Sequence, residues 1–368
     1  MGWVRVVVCG SVICTSTGTL SAQQSISLGD PAGRSVEGFT SIFDVAEMAD
    51  GRVLLTDSRE RAVAVVDFAA GSVERLEGRG QGPREYMSAF TILPLTDGGF
   101  RIYDAVQRRY LVLSGAAEVM GTETIDPPRL GAFSPPRGPD DAGGLYLDIR
   151  RIGETGGLIR EAVLYRWTPD TGSVDSVGVV MSYARGQGGP GIVPMPRGDA
   201  WSYLPDGSVA VVGAEDYRVE WRGGEAGYAL GDPIPHRRVR VGAREREAWM
   251  EELQAQPPAG MSRTAGGSGG RGQEIRRRFD EGRFPEFVPP FSPGWAPASS
   301  RGEIWLRNEV ESGPDRTVID VIGRDGNLAR RILTPGTVRV LGFGADAVYL
   351  ARTDEFDLEW LERYPYPR

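Results

Sequence analysis

The stretch Asp50-Gly51-Arg52-Val53-Leu54-Leu55 decides the fold, because it returns five more times along the chain. It recurs as Asp97-Gly98-Gly99-Phe100-Arg101-Ile102, Ala142-Gly143-Gly144-Leu145-Tyr146-Leu147 and Asp206-Gly207-Ser208-Val209-Ala210-Val211. Arg301-Gly302-Glu303-Ile304-Trp305-Leu306 and Ala345-Asp346-Ala347-Val348-Tyr349-Leu350 complete the set. A small turn residue feeding a strand of alternating apolar side chains is a hairpin signal, and its regular return marks a repeat architecture.

Working outward from Gly51, the markers Gly98, Gly143, Gly207, Gly302 and Asp346 follow at intervals of 47, 45, 64, 95 and 44 residues. Four short antiparallel strands with their turns need ~40–50 residues, the size of one propeller blade. The expected fold is therefore all-β, a six-bladed β-propeller of four-stranded antiparallel blades. In the first blade Thr40 to Met48 forms the inner strand, Arg52 to Thr56 the second and Ala62 to Asp67 the third, and Gly71 leads into a polar outer strand. Ser25 to Leu28 is expected to complete the last blade and close the ring. No single blade buries both of its faces, so the closed ring is the unit of stability.

The longest interval holds an insertion, about residues 242–298, between blades four and five. Ala243 to Leu253 has helical composition, with Ala248, Trp249 and Leu253 as its expected buried contacts, and Gln273 to Phe279 suits a second short helix. Between them, Gly260 to Gly272 is rich in Gly and Ser. The segment Phe284-Pro285-Glu286-Phe287-Val288-Pro289-Pro290-Phe291 is apolar but too rich in proline for a central strand, so it is expected to lie over one mouth of the ring.

Composition narrows the chemistry. Arg5, the apolar run Val6 to Cys14 and Leu20-Ser21-Ala22 read as a secretory signal peptide over residues 1–22, leaving one domain over 23–368. A periplasmic or secreted protein without lipid anchor or membrane span is expected. Cutting there removes Cys9 and Cys14, the only two cysteines. The chain has no lysine, so all 42 of its Lys and Arg cations are arginines, and His236 is its single histidine. Schiff-base chemistry, P-loops and Cys/His zinc sites thus lack their required residues. The net charge of −8 gives no general attraction to nucleic acid.

At Gly78-Arg79-Gly80-Gln81-Gly82-Pro83-Arg84-Glu85-Tyr86 the chain resembles a large bacterial family of six-bladed β-propellers, akin to NHL-like and TolB-like proteins. Members carry a G-x-G-x-G-P-x-E-[FY] link from the first blade into the second. Phe284 to Pro290, followed by Gly302-Glu303-Ile304-Trp305, is similar to that family's late insertion and the strand after it. The resemblance implies the fold and leaves the activity unassigned. The third blade and Asp346 depart from the pattern.

These residues supply the candidate ligand-binding set: Arg79, Arg84, Glu85 and Tyr86 with Phe284, Glu286 and Phe287. The expected function is an exported binding module that recognises a peptide, a glycan or a partner protein at the channel mouth, as a monomer. The alternative is an extracytoplasmic hydrolase or lyase, of lactonase or glycan-cleaving type, using channel carboxylates. No cofactor is expected, and calcium is the metal the composition leaves open. Three or more carboxylates meeting in the channel would favour the enzyme, whereas apolar walls with lone arginines would favour binding. Asp57 and Asp104, in equivalent places after the second strand, are expected to cap turns. Trp221 and Trp305 are expected to pack between blades, and Trp249 and Trp295 to serve a ligand.

Overall fold

The computed structural model describes residues 24–124, 132–133, 135–152, 158–181, 194–224, 227–255 and 284–367. The expected leader, the Gly/Ser-rich stretch and the second helix of the insertion lie outside the described residues.

The recurring turn does locally what its sequence demands. In the first blade the Gly51 amide donates to the Met48 carbonyl at 2.9 Å, and Met48 in turn donates to Arg52. This geometry needs a left-handed backbone, and Gly51, Gly98, Gly143, Gly207 and Gly302 all have φ between 76° and 87°. The sixth turn, at Asp346, is tighter, and a bulge between Val340 and Gly342 restores its register.

Each turn joins an inner strand to the second strand of its blade. Blade one comprises Ile42–Glu47, Val53–Asp57, Ala62–Asp67 and Ser72–Arg75, in that spatial order and antiparallel throughout. Blade two runs from Ala89–Pro94 to Val119–Glu123, and blade three from Ala132–Phe133 to Ser173–Met181. Blade four runs from Ala200–Tyr203 to Gly227–Leu230. Gly294–Trp295 runs parallel to Ala200–Tyr203 and adds a fifth, innermost strand to blade four; blade five then bridges Ala298 to Ile304 and holds Ile304–Arg307, Arg316–Ile322 and Leu328–Pro335. Blade six holds Val338–Phe343, Ala347–Thr353 and Glu359–Pro365.

Six separate apolar clusters show that these sheets form a ring. Blades one and two share the cluster of Met48, Leu54, Ile92 and Ile102. Blades two and three share that of Tyr103, Tyr110, Leu147 and Trp167, and three and four that of Leu164, Trp201 and Val211. Trp221 packs with Ile304 between blades four and five, and Trp305 with Tyr364 between five and six. Blades six and one close the circle through Phe39, Leu55, Tyr349 and Leu361. Each cluster joins one blade to the next in the chain, as expected where one sheet face must be covered by its neighbour.

The closure differs from the sequence expectation. Gln24–Ser27 runs parallel to Leu328–Pro335 and adds a strand to the outer edge of blade five. The strand that completes the last blade is Gly33–Arg34, antiparallel to Glu359–Pro365. One N-terminal strap therefore covers two blade edges. Leu28 sinks into the cluster between blades five and six, and the Ser35 hydroxyl accepts the Leu361 amide. Alternation of apolar residues identified an edge strand but could not choose between two neighbouring edges.

The insertion contains the helix Ala243–Ala255, as its composition indicates. Ala248 is exposed on it, contrary to expectation, and Trp249 is half-buried against Phe284. No helix among the described residues is long and apolar enough to cross a membrane.

Candidate functional site

The glycine-rich link at 78–86 leads from the outer strand of blade one to the inner strand of blade two, and most of its polar atoms bond within the chain. The Glu85 carboxylate accepts the Gly82 amide at 2.7 Å. A Cβ on Gly80 would stand 2.1 Å from Glu85 Oε2, so this carboxylate fits only beside glycine. The Arg109 guanidinium donates to the Gly82 and Glu85 carbonyls at 2.7 and 2.8 Å, and the Gln107 amide donates to the Gly80 carbonyl at 2.8 Å. Arg84 donates to the Val119 carbonyl. Tyr86 is buried, and its hydroxyl accepts the Val63 amide and donates to the Leu76 carbonyl. Burial pushes that hydroxyl's pKa up. Arg79 is exposed and bridges to Tyr86 through the backbone.

The described part of the insertion builds a second grouping. Arg240 and Phe287 form an antiparallel bridge, with Val288 donating to Val239 and Val241 to Glu286. Arg238 lies over the Phe287 ring at 4.2 Å and Arg240 at 5.5 Å, while Arg246 lies over Phe284 at 5.3 Å. Glu286 pairs with Arg240 at 3.1 Å. This link and the 78–86 link both run from an outer to an inner strand, so they lie on the same face of the ring. They sit at junctions three blades apart, on opposite sides, and no described contact joins them.

A third grouping occupies the axis. Arg137, entering from blade three, donates to Asp44 of blade one at 3.0 Å. Its guanidinium lies 4.0 Å over Trp295, on the innermost strand of blade four, and 5.2 Å over Phe43 of blade one. Blade one neighbours neither blade three nor blade four, so their side chains can meet only at the centre of the ring. Phe90 of blade two packs edge-on against Phe43, with ring centres 4.9 Å apart. Tyr203 of blade four stacks on Tyr146 at 4.8 Å and lies within electrostatic reach of Asp44 and Arg137.

Bulges shape this centre. The inner strand of blade one breaks register between Ile42 and Asp44, and that of blade two between Ala89 and Ile92. A bulge re-aims side chains at the rim of a sheet. Asp44 then reaches across to accept the Ile92 amide at 3.0 Å, besides its own neighbour Val45. Burial pushes the Asp44 carboxyl up, against the opposing pull of Arg137 and of these two amides. Burial raises the Tyr203 hydroxyl as well.

The turn carboxylates have a structural occupation, as expected. Asp57 accepts the amides of Thr40, Ser41, Arg59 and Glu60, and Asp104 those of Met87, Ser88, Val106 and Gln107. Four amides per carboxylate fill the lone pairs a cation would use. Among the described residues no group of three or more His, Cys, Asp or Glu could hold a metal ion. His236 is half-buried, 5.4 Å edge-on from Tyr217, with Nδ1 3.2 Å from the Ile234 carbonyl.

Of the axial residues only Trp295 stood among the sequence candidates. Phe43 and Phe90 left one legible signal, each lying eight residues before its turn glycine. Arg137 and Asp44 left none, since nothing local marks a contact across the ring.

No family model matches the chain, and no curated protein matches it. Among solved structures it is similar to regucalcin, a calcium-binding protein from Agrobacterium tumefaciens. Identity there is 13% and the TM-score 0.47, with 94% of this chain and 99% of that one covered. It is also similar to virginiamycin B lyase from Staphylococcus aureus, at 10% identity and a TM-score of 0.44, covering 89% and 97% of the two chains. A DUF4221 family member from Bacteroides vulgatus aligns at 10% identity and a TM-score of 0.49, covering 92% and 95%. At such values no activity is inherited. The six apolar clusters are what define the protein as a six-bladed β-propeller.

Proposed function

We propose that the protein is an exported ligand-binding propeller, acting as a monomer, whose recognition site is the central channel and its mouth. The observation that carries this reading is the axial grouping itself. One carboxylate, Asp44, is paired with one arginine, Arg137, among the rings of Phe43, Phe90, Tyr203 and Trp295. Aromatic walls with a few placed polar groups suit recognition. Peptides and glycans both match such walls, since aromatic faces stack on apolar side chains and on sugar rings. Arg79, Arg84, Phe284, Glu286 and Phe287 would act as outer contacts on the same face, with Glu85 and Tyr86 setting the shape of the link that carries the arginines.

The test titrates residues 23–368 with neutral oligosaccharides and short peptides, with and without calcium, by calorimetry. Phe43→Ala with Phe90→Ala should abolish retention of whichever compound binds, with the circular dichroism of the sheet retained. Phe287→Ala with Arg84→Ala should weaken retention at a nearly unchanged melting temperature. A compound held equally by the wild type and both double variants would remove the channel from recognition.

A further inference from the structure

We infer that the axial site takes a carboxylate carried on an aromatic body; this rests on the binding reading above and names the chemistry of its ligand. The argument is an inventory of donors and acceptors around the axis. Both oxygens of Asp44 are in use, Oδ1 by the Val45 amide and Oδ2 by the Ile92 amide and Arg137. Glu359, on the third strand of blade six, gives both oxygens to Arg339 and one of them also to the Ile42 amide. Neither carboxylate has an oxygen left over.

Donors are left over. The buried indole Nε1 of Trp295 has no hydrogen-bond partner among the described residues, and an indole N–H can only donate. Bonding to Asp44 is the one hydrogen bond of the Arg137 guanidinium among the described residues, and a guanidinium carries five N–H groups. Buried donors without acceptors are costly, so the occupant that satisfies them must bring acceptors.

This selects among ligands. An ammonium or guanidinium brings donors alone, a metal ion brings neither donor nor acceptor, and a neutral sugar hydroxyl brings a donor with every acceptor. A carboxylate brings acceptors only, and a guanidinium fork matches it in two bonds. The charges facing the site are balanced, Arg137 against Asp44 and Arg339 against Glu359, so recognition rests on directed donors rather than on a bulk field. Phe43 and Phe90 then offer ring edges and faces to an aromatic body attached to that carboxylate. Of the Arg137 side chain, 14% is exposed.

Calorimetric titration with four probes tests this: phenylacetate, its neutral amide phenylacetamide, N-acetylphenylalanine and N-acetylphenylalaninamide. Each acid should bind at least tenfold more tightly than its amide. Trp295→Phe, which keeps a ring against Arg137, should weaken both acids at least fivefold and leave the amides unchanged. Stronger binding of phenylacetate points to a small organic acid as the natural ligand, and stronger binding of N-acetylphenylalanine to a peptide C-terminus. Equal affinity of acid and amide, or indifference to Trp295→Phe, overturns the inference. If a neutral oligosaccharide then still depends on Phe43 and Phe90, the wider binding reading survives that failure. If no probe and no panel compound binds, both fall.

Discussion

Two groupings of arginine, aromatic ring and carboxylate share their chemistry but not their surroundings. On the axis, Arg137 stacks on Trp295 and Phe43 and pairs with Asp44, with side chains 14% and 9% exposed. On the insertion, Arg240 and Arg238 cover Phe287 and Arg240 pairs with Glu286, with side chains 76% and 63% exposed. In solvent such a pair is screened and entropically costly, contributing roughly 0–1 kcal/mol. Inside the ring the same contacts are desolvated, so each partner depends on the other to offset its burial. The lesson is that composition alone does not rank sites; the depth at which the ring places them does.

The sharpest way to break this contrast is Arg137→Ala, which leaves Asp44 buried without its cation. Urea unfolding should show a loss of about 3–5 kcal/mol, the usual cost of stranding a buried charge. Replacing both partners together, Arg137→Met with Asp44→Leu, should recover most of it. A loss below 1 kcal/mol for Arg137→Ala would mean that the axial pair behaves like a surface one.

Acid titration probes the same idea through protons. Burial alone would raise the Asp140 carboxyl, but Arg166, Tyr146 and the Gly144 amide outweigh it and hold it below the usual range. Glu303 is lowered likewise, with Arg330 and Tyr366 overcoming burial. The stability these two supply is fully present above the unfolded carboxylate values, about 4, and is lost as pH falls through their lower folded values. Asp44 has the opposite sign, because its folded value is raised and ionisation costs stability as pH rises past about 4. The melting temperature of the wild type minus that of Asp44→Asn should therefore grow as pH drops from 7 toward about 4. A difference independent of pH would show that Asp44 is not desolvated.

The smallest expected effect lies at the surface. Glu286→Gln should change unfolding free energy by less than about 0.5 kcal/mol, with little dependence on salt. A loss above 1.5 kcal/mol would give the insertion pair the energetic standing reserved here for the axis.

Much of the ring was legible from one local rule. A left-handed glycine before a strand requires only the residues that make the turn, and five of the six markers have that backbone. The helix Ala243–Ala255 and the inter-blade places of Trp221 and Trp305 could be read in the same way, from composition and alternation. The closure could not. Gln24–Ser27 and Gly33–Arg34 are short edge segments, and which edge each one meets depends on where blades five and six stand in space. The candidate residues around 78–86 carried a motif because their glycines make room for Glu85, a local packing need.

The sequence by itself determined the repeating unit, the number of units and the position of the insertion. All three follow from hydrogen bonding and side-chain alternation over a few neighbouring residues. Tertiary structure alone decided which side chains share the axis and which edges the N-terminal strap seals. Asp44 and Arg137 are 93 residues apart in the chain and approach only after the intervening blade has rotated one to face the other. No short-range pattern encodes such a meeting, because its cause is the geometry of a closed circle.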